Sequence, residues 1–511
     1  MATVREALLY EPVELGFGTS GLRALVTDMT DLECYINALG FLEFLKTQDL
    51  VKPDATVYLA GDLRESTPRI TRAMLAAISE AGWGVEYLGL VPTPALALRS
   101  LGQGGPGIMV TGSHIPADRN GIKFYKPGSE VLKADEAGIK AAVAEVRRRV
   151  YGADAGASAF DARGMLKDAP ELPEVVGAGQ AAYIERYVRF FGSERLKGKK
   201  LVFYQHSAVG RDMLVGLLEK IGAEVKSVGR SDVFVPIDTE DVTLEHQEYF
   251  RKVAGENLGM FAMVSTDGDS DRPFVIDENG EFHRGDVLGA VVARWLKADA
   301  AAFPVSTSDA VTKLLDGEGV VWKHTKIGSP YVIDAMNAEM AAGKKTVVGW
   351  EVNGGFLTGS EVRVGDQRLS PLPTRDAIFP IIVALVAAIE ASVSVSELFA
   401  RLPQRFTQAG LIDNFPSEVS KAILAADEAE VVKFFAPEQG FGAFKEANRL
   451  DGLRLFFDNG EIAHLRPSGN APQMRVYSVA DSQERADEIV ELALAEPDGI
   501  LRKIEKAFTP A

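Results

Sequence analysis

Residues 56–68 read Thr56-Val-Tyr-Leu-Ala60-Gly61-Asp62-Leu-Arg-Glu-Ser66-Thr-Pro68. A β-branched and apolar run, a small-residue loop and a polar residue ahead of a proline describe a strand, a turn and a helix start near Ser66. The same order recurs twice. Lys200-Leu-Val-Phe-Tyr204 passes through Ser207-Ala-Val-Gly210 into Arg211-Asp-Met-Leu-Val-Gly-Leu-Leu218. Pro304-Val-Ser-Thr307 passes through Ser308-Asp309 into Ala310-Val-Thr-Lys-Leu-Leu315. Three well-separated strand-to-helix openings predict an α/β protein with three domains of similar build. No short-period repeat is present, which excludes solenoids and propellers.

The chain is 511 residues long, enough for three or four small cores. Its 46% hydrophobic and 25% charged residues are the balance of a soluble globular protein. Cys34 is the single cysteine, so a disulfide framework and a cysteine-rich metal site are excluded. The amino terminus lacks the basic-then-apolar build of a secretory signal. Residues 378–389 (IFPIIVALVAAI) are too few to span a bilayer and contain a proline, so they read as a buried helix. A cytoplasmic setting without a membrane partner is expected. The net charge of −17 argues against nucleic acid, so an anionic substrate needs a local basic pocket. Composition shifts near residues 151–159, 277–281 and 402–406 divide the chain into 1–160, 161–281, 282–405 and 406–511.

Four loops carry the chemistry. In Ile108-Met-Val-Thr111-Gly112-Ser113-His114 through Asn120-Gly121-Ile-Lys123, one extended run enters a Gly/Pro turn and a second leaves it. Ser113 is expected near the tip of an exposed turn, with His114 and Lys123 as the base or cation that a serine nucleophile needs. A plain hairpin capped by a serine is the alternative. In Ala262-Met-Val-Ser-Thr266-Asp267-Gly-Asp269-Ser-Asp271-Arg272, alternate positions of an extended segment would bring three carboxylates together, an oxygen-rich set suited to Mg²⁺. An EF-hand is excluded because its sixth position, which needs glycine, is Arg272. A haloacid-type phosphatase with Asp267 as nucleophile competes. In Trp350-Glu351-Val-Asn353-Gly354-Gly355, Glu351 and Asn353 could offer an acceptor and an amide to sugar hydroxyls. Arg466-Pro-Ser468-Gly469-Asn470, followed by Met474-Arg475, resembles an anion cradle.

Taken in order, Gly16-Phe-Gly18-Thr-Ser-Gly21-Leu-Arg23, Thr111-Gly-Ser-His114, Asp267-Gly-Asp-Ser-Asp-Arg272 and Arg466-Pro-Ser-Gly469 resemble the α-D-phosphohexomutase family, nearest its phosphomannomutase and phosphoglucomutase branch. The resemblance implies three similar mixed α/β domains and a smaller C-terminal α+β domain around a central cleft. It implies phosphorylation of Ser113, and Mg²⁺ held by Asp267, Asp269, Asp271 and the phosphoserine. Arg23, His114, Lys123 and Arg272 map onto basic residues around the reacting phosphate. The substrate set is then Lys326, Glu351, Asn353, Arg466, Ser468, Gly469, Asn470 and Arg475.

The implied reaction interconverts hexose 6-phosphate and hexose 1-phosphate through a hexose 1,6-bisphosphate. Whether Lys123 or His114 is the general base stays open, as does mannose against glucose. A monomer or homodimer acting on small hexose phosphates is expected, with closure about a hinge near residue 406. Asn353 and Gly355 stand where the family often has serine and histidine, Ser329 where many relatives carry histidine, and Asn470-Ala471 where Thr-Glu is common. A Mg²⁺-dependent sugar-phosphate phosphatase and a non-catalytic phosphosugar-binding protein are the alternatives.

Overall fold

The computed structural model describes residues 2–18, 21–468 and 472–509. The chain forms two compact units, residues 1–302 with 328–399, and residues 303–327 with 400–511.

Three mixed sheets share one plan. In the first, Thr56–Gly61 lies parallel to Gly84–Leu90 on one side and Gly107–Val110 on the other. Arg119–Lys126 then runs back antiparallel beside Gly107–Val110, and Gly21–Leu25 adds to it. In the second, Lys200–His206 lies parallel to Glu224–Arg230 and Ala262–Thr266, and Pro273–Ile276 returns antiparallel. In the third, residues 300–302 pair parallel with Val347–Trp350, and Phe356–Thr358 and Leu372–Asp376 follow antiparallel. A parallel strand needs a long crossover, whereas the antiparallel return needs only a turn. The three returns are residues 111–118, 267–272 and 351–355, hereafter the serine, aspartate and glutamate turns.

The second unit carries an antiparallel sheet in the order Phe406–Ile412, Met474–Ala480, Ile462–Pro467, Leu453–Phe457 and Phe444–Asn448. The helices Gln483–Leu494 and Ile500–Phe508 contribute Ile489, Ile500 and Ile504 to the same core as the strand residues Leu455 and Val476. Each such side chain contributes about 1.5–3 kcal/mol by leaving water.

The expected helices form at Thr67–Glu80, Arg211–Lys220 and Asp309–Glu318. Two local readings need correction. The third opening strand is Ala300–Pro304 and ends where the extended run was expected to begin, because Ala300 to Phe303 supply a fully buried apolar run. Ser66 does not cap its helix; its Oγ accepts from Asn120 Nδ2 at 2.9 Å. The apolar run from Ile378 forms the buried helix Ile378–Glu390, and no described helix is long and apolar enough to cross a membrane.

Candidate active site

Ser113 is fully buried, not exposed at a turn tip. Its Oγ donates to Asp267 Oδ2 at 2.6 Å, which joins the serine turn to the aspartate turn. The backbone there is left-handed, with φ +55°, an uncommon conformation for a residue with a Cβ. What holds it is Arg64. Its guanidinium donates to the carbonyls of Ser113 (3.0 Å), Ile115 (2.6 Å), Pro116 (2.8 Å) and Arg119 (2.9 Å). Gly112 makes the approach possible, since a Cβ there would lie 2.6 Å from Arg64 Cζ. Asp62 lies 3.3 Å from Arg64 Nε and accepts from Thr111 Oγ1 at 2.8 Å, while Thr111 Oγ1 accepts from Ser113 N at 2.8 Å. Asp62, Arg64 and Thr111 thus place the serine, and sequence reading passed over all three as site residues. The spacing of an aspartate and an arginine at the end of a buried strand was the available signal.

The three aspartates converge through a turn, not along an extended segment. Asp267 N donates to Arg272 O at 3.0 Å, and Ser270 takes φ +58° between them. One oxygen from each carboxylate lies within 4.8 Å of the others, and all three residues are buried. Asp267 Oδ1 accepts from the backbone N–H groups of Asp271 and Arg272, both at 3.1 Å. Lys123 Nζ donates to Asp269 Oδ2 and Asp271 Oδ2, each at 2.6 Å. Asp269 Oδ1 and Asp271 Oδ1 are buried and have no hydrogen-bond partner among the described residues. Burial, Asp269 and Asp271 together push the Asp267 carboxyl well above the usual carboxylate range. Orphaned buried oxygens and crowded negative charge are the features a hard divalent cation relieves, so the donor set fits one.

A positive cluster faces this negative one. Arg272 Nε is buried without a hydrogen-bond partner, 3.8 Å from Asp267 and 3.7 Å from Asp271. Burial, and then the charges of Arg272 and Arg375, push Arg23 down to about 10. A guanidinium held down by burial and by neighbouring cations is placed to receive an anion. His114 Nδ1 lies 2.8 Å from Asp238 Oδ2, and burial and Arg272 push the ring down to about 4.

The segment 231–243 ties the turns together. The Phe234 ring lies under Arg64, with Cζ 3.8 Å from its centroid. Asp238 meets His114 and Arg272, the latter at 3.6 Å. Thr239 Oγ1 donates to Asn353 O at 2.8 Å, and Glu240 accepts from Asn353 Nδ2 at 3.1 Å. Glu351 is held by Arg375 Nη1 at 2.6 Å. Asn353 Oδ1 accepts from Gly355 N at 3.0 Å, and the bond to Glu240 takes one of the two donors of its amide. Arg375 and Asp238 were also missed in the sequence, because nothing local marks a charged residue whose ion-pair partners lie 24 or more positions away.

The second unit holds the remaining expected residues. Arg466 ends the strand Ile462–Pro467, and Asp451 Oδ2 accepts from its Nε at 3.1 Å and from Ile327 N at 2.9 Å. Asp451 thereby brings the Lys326 segment beside the arginine. Ser468 N donates to Gln473 O at 2.9 Å, and Lys326 and Arg475 are exposed. Gly469 and Asn470 lie outside the described residues.

Known proteins match this chain in sequence and in fold. The family profile of phosphoglucomutase/phosphomannomutase alpha/beta/alpha domain I matches residues 14–149, and that of domain III matches residues 284–406. A phosphomannomutase of Sinorhizobium fredii is 40% identical over 484 residues, 94% of this chain and 98% of its own. A phosphomannomutase of Salmonella muenchen is 40% identical over 94% of this chain and 95% of its own. Among solved structures, a phosphoglucomutase/phosphomannomutase family protein from Burkholderia thailandensis superposes with TM-score 0.71 at 18% identity, over 96% of this chain and 97% of its own. With its serine, aspartate and glutamate turns in place, the chain belongs to the phosphoglucomutase/phosphomannomutase family of hexose-phosphate mutases.

Proposed function

We propose that this protein interconverts hexose 6-phosphates and hexose 1-phosphates, of mannose, glucose or both, by way of phospho-Ser113 and a hexose 1,6-bisphosphate. The observation that supports it is the buried Ser113 hydroxyl 2.6 Å from Asp267, between an acidic cluster and a group of buried cations. Phosphoryl transfer depends on in-line positioning and charge neutralisation more than on covalent help.

In the first half-reaction the free hydroxyl of a bound hexose monophosphate attacks phospho-Ser113. The new sugar O–P bond forms as the Ser113 Oγ–P bond breaks; the sugar hydroxyl gives up its proton to Lys123 or His114, and the departing Ser113 Oγ takes up a proton to become the hydroxyl. The bisphosphate then reverses, and the Ser113 hydroxyl recovers the phosphoryl group from the opposite position. Arg23 and Arg272 neutralise phosphoryl oxygens, and the burial of the site strengthens that charge contribution. Asp267, Asp269 and Asp271 would hold Mg²⁺, which supplies positive charge to the phosphoryl oxygens. Arg466, Ser468, Gly469, Asn470, Arg475 and Lys326 take the phosphate that is not transferred, and Glu351 and Asn353 take the sugar. The division at residues 160, 281 and 405 and a cytoplasmic setting belong to the same proposal.

A haloacid-type route through Asp267 is disfavoured because both its oxygens are engaged, Oδ1 by two backbone N–H groups and Oδ2 by Ser113. The decisive assay incubates the protein separately with mannose 1-phosphate and glucose 1-phosphate, plus Mg²⁺ and a trace of the matching bisphosphate. Accumulation of 6-phosphate without inorganic phosphate supports the mutase; release of inorganic phosphate alone identifies a phosphatase. Ser113→Ala should lose at least about a thousandfold in turnover, since removing a reacting group leaves only binding and electrostatics. Normal turnover by that variant would refute the phosphoserine.

A further inference from the structure

The aspartate and glutamate turns are joined by a side chain that neither of them supplies. Arg375 lies in the strand Leu372–Asp376 and is 3% exposed. Its Nη1 donates to Glu351 Oε2 at 2.6 Å, and its Nε and Nη2 donate to Asp271 Oδ2 at 3.1 and 3.0 Å. A planar guanidinium can span two carboxylates in this way, whereas an ammonium is a point charge. The space comes from Gly355, where a Cβ would lie 2.5 Å from Arg375 Cδ.

The strand around Arg375 is itself anchored on both sides. Thr374 Oγ1 donates to Glu130 Oε1 at 2.5 Å, and the Asp376 carboxylate accepts from the Tyr183 and Tyr187 hydroxyls and from Ile378 N. Both of the residues that Arg375 grips keep one oxygen for other use. Asp271 Oδ1 is the buried oxygen without a partner among the described residues, and Arg375 takes Glu351 through Oε2, which leaves Oε1 outside that contact.

We infer that Arg375 is a positioning residue that holds Glu351, and through it the bound hexose, in register with the cation-binding carboxylate of Asp271. The inference rests on the mutase reading above for the role of Glu351. It makes the sugar contact conditional on the guanidinium fork and on the bare glycine at 355.

A double-mutant cycle tests this. Kinetic constants are measured for Glu351→Gln, Arg375→Gln and the double variant, with glucose 1-phosphate and with mannose 1-phosphate. Each single change should lower kcat/KM about tenfold, and the double should lose about as much as the worse single, because Glu351 without Arg375 is already misplaced. A double loss equal to the product of the two singles overturns the inference. Arg375→Lys should not restore activity, and full recovery would reduce the role to bare charge and overturn the fork. Gly355→Ala, which keeps every charge but fills the space, should reproduce the loss of Arg375→Gln; if Arg375→Gln fails to fold by circular dichroism, it takes that place in the cycle. Should the wild-type protein turn over neither sugar phosphate, the mutase reading fails. The cycle is then read on calorimetric binding of glucose 1-phosphate, where additivity overturns the coupling.

Discussion

At the residue scale, Arg64 shows how much organisation one buried cation can impose. Four carbonyls of a single turn converge on it, and Phe234 covers its face. Arg64→Lys would leave carbonyls that the three donors of an ammonium cannot satisfy in that geometry, at a cost of about 1–3 kcal/mol for each buried group left unpaired. On the proposed phosphoserine route, we expect a lower melting temperature and a fall in kcat of tenfold or more with KM little changed, since the turn would carry the transferred group rather than the anchored phosphate. Wild-type kcat in a variant of lowered stability would show that Arg64 only supports the fold. The charged residues that shape the site, Arg64 and Arg375 among them, came to light only in three dimensions, because their partners are distant in sequence.

At the scale of elements, each mixed sheet places its chemistry in the same slot, the turn between its last parallel strand and the antiparallel return. The segment 231–243 crosses from one slot to the next; its Asp238 meets His114 in the serine turn, and its Phe234 packs on Arg64, which holds that turn. Phe234→Ala removes the ring and its cation–π contact, worth about 0.5–2 kcal/mol beyond the buried area. Limited proteolysis should then cut within 231–243 faster than in the wild type; equal cleavage rates would deny the ring that function. The strand-to-helix openings were legible because a short β-branched run, a small-residue loop and an amphipathic run are local signals. The serine and aspartate turns were legible because Gly/Asp/Ser clusters between such runs have few other readings. Burial of Ser113 was not legible, since it is imposed by Asp267, 154 positions away. The strap was not legible either: its residues 231–243 lack periodicity, and their partners define them.

At the scale of the molecule, a chain of net charge −17 concentrates Arg23, Lys123, Arg272 and Arg375 about its aspartate turn, the local basic pocket that an anionic substrate needs. The same economy of charge appears in its histidines. His206 and His464 are almost wholly buried, and burial pushes each down to about 4. Their unfolded-state value is near 6.5, so between those values the unfolded chain binds more protons than the folded one. Their contribution is fully present above about pH 6.5 and is lost as pH falls toward 4, by about 2 kcal/mol each at pH 5. Urea unfolding at pH 7 and pH 5 should show this drop, and His464→Gln should flatten its share of the slope. An unchanged slope in that variant would place the proton uptake elsewhere.

The strap over the three turns carries an evolutionary consequence. Separate slots for phosphoryl relay, cation and ring would let each drift alone, so that a lineage could retune its preferred sugar while keeping its reactivity. A ribbon that touches all three denies that freedom: a substitution under Asn353 is felt at His114 through Thr239 and its neighbour Asp238. Changes in what such an enzyme accepts should therefore arrive as linked sets of replacements, with one member of each set lying in residues 231–243.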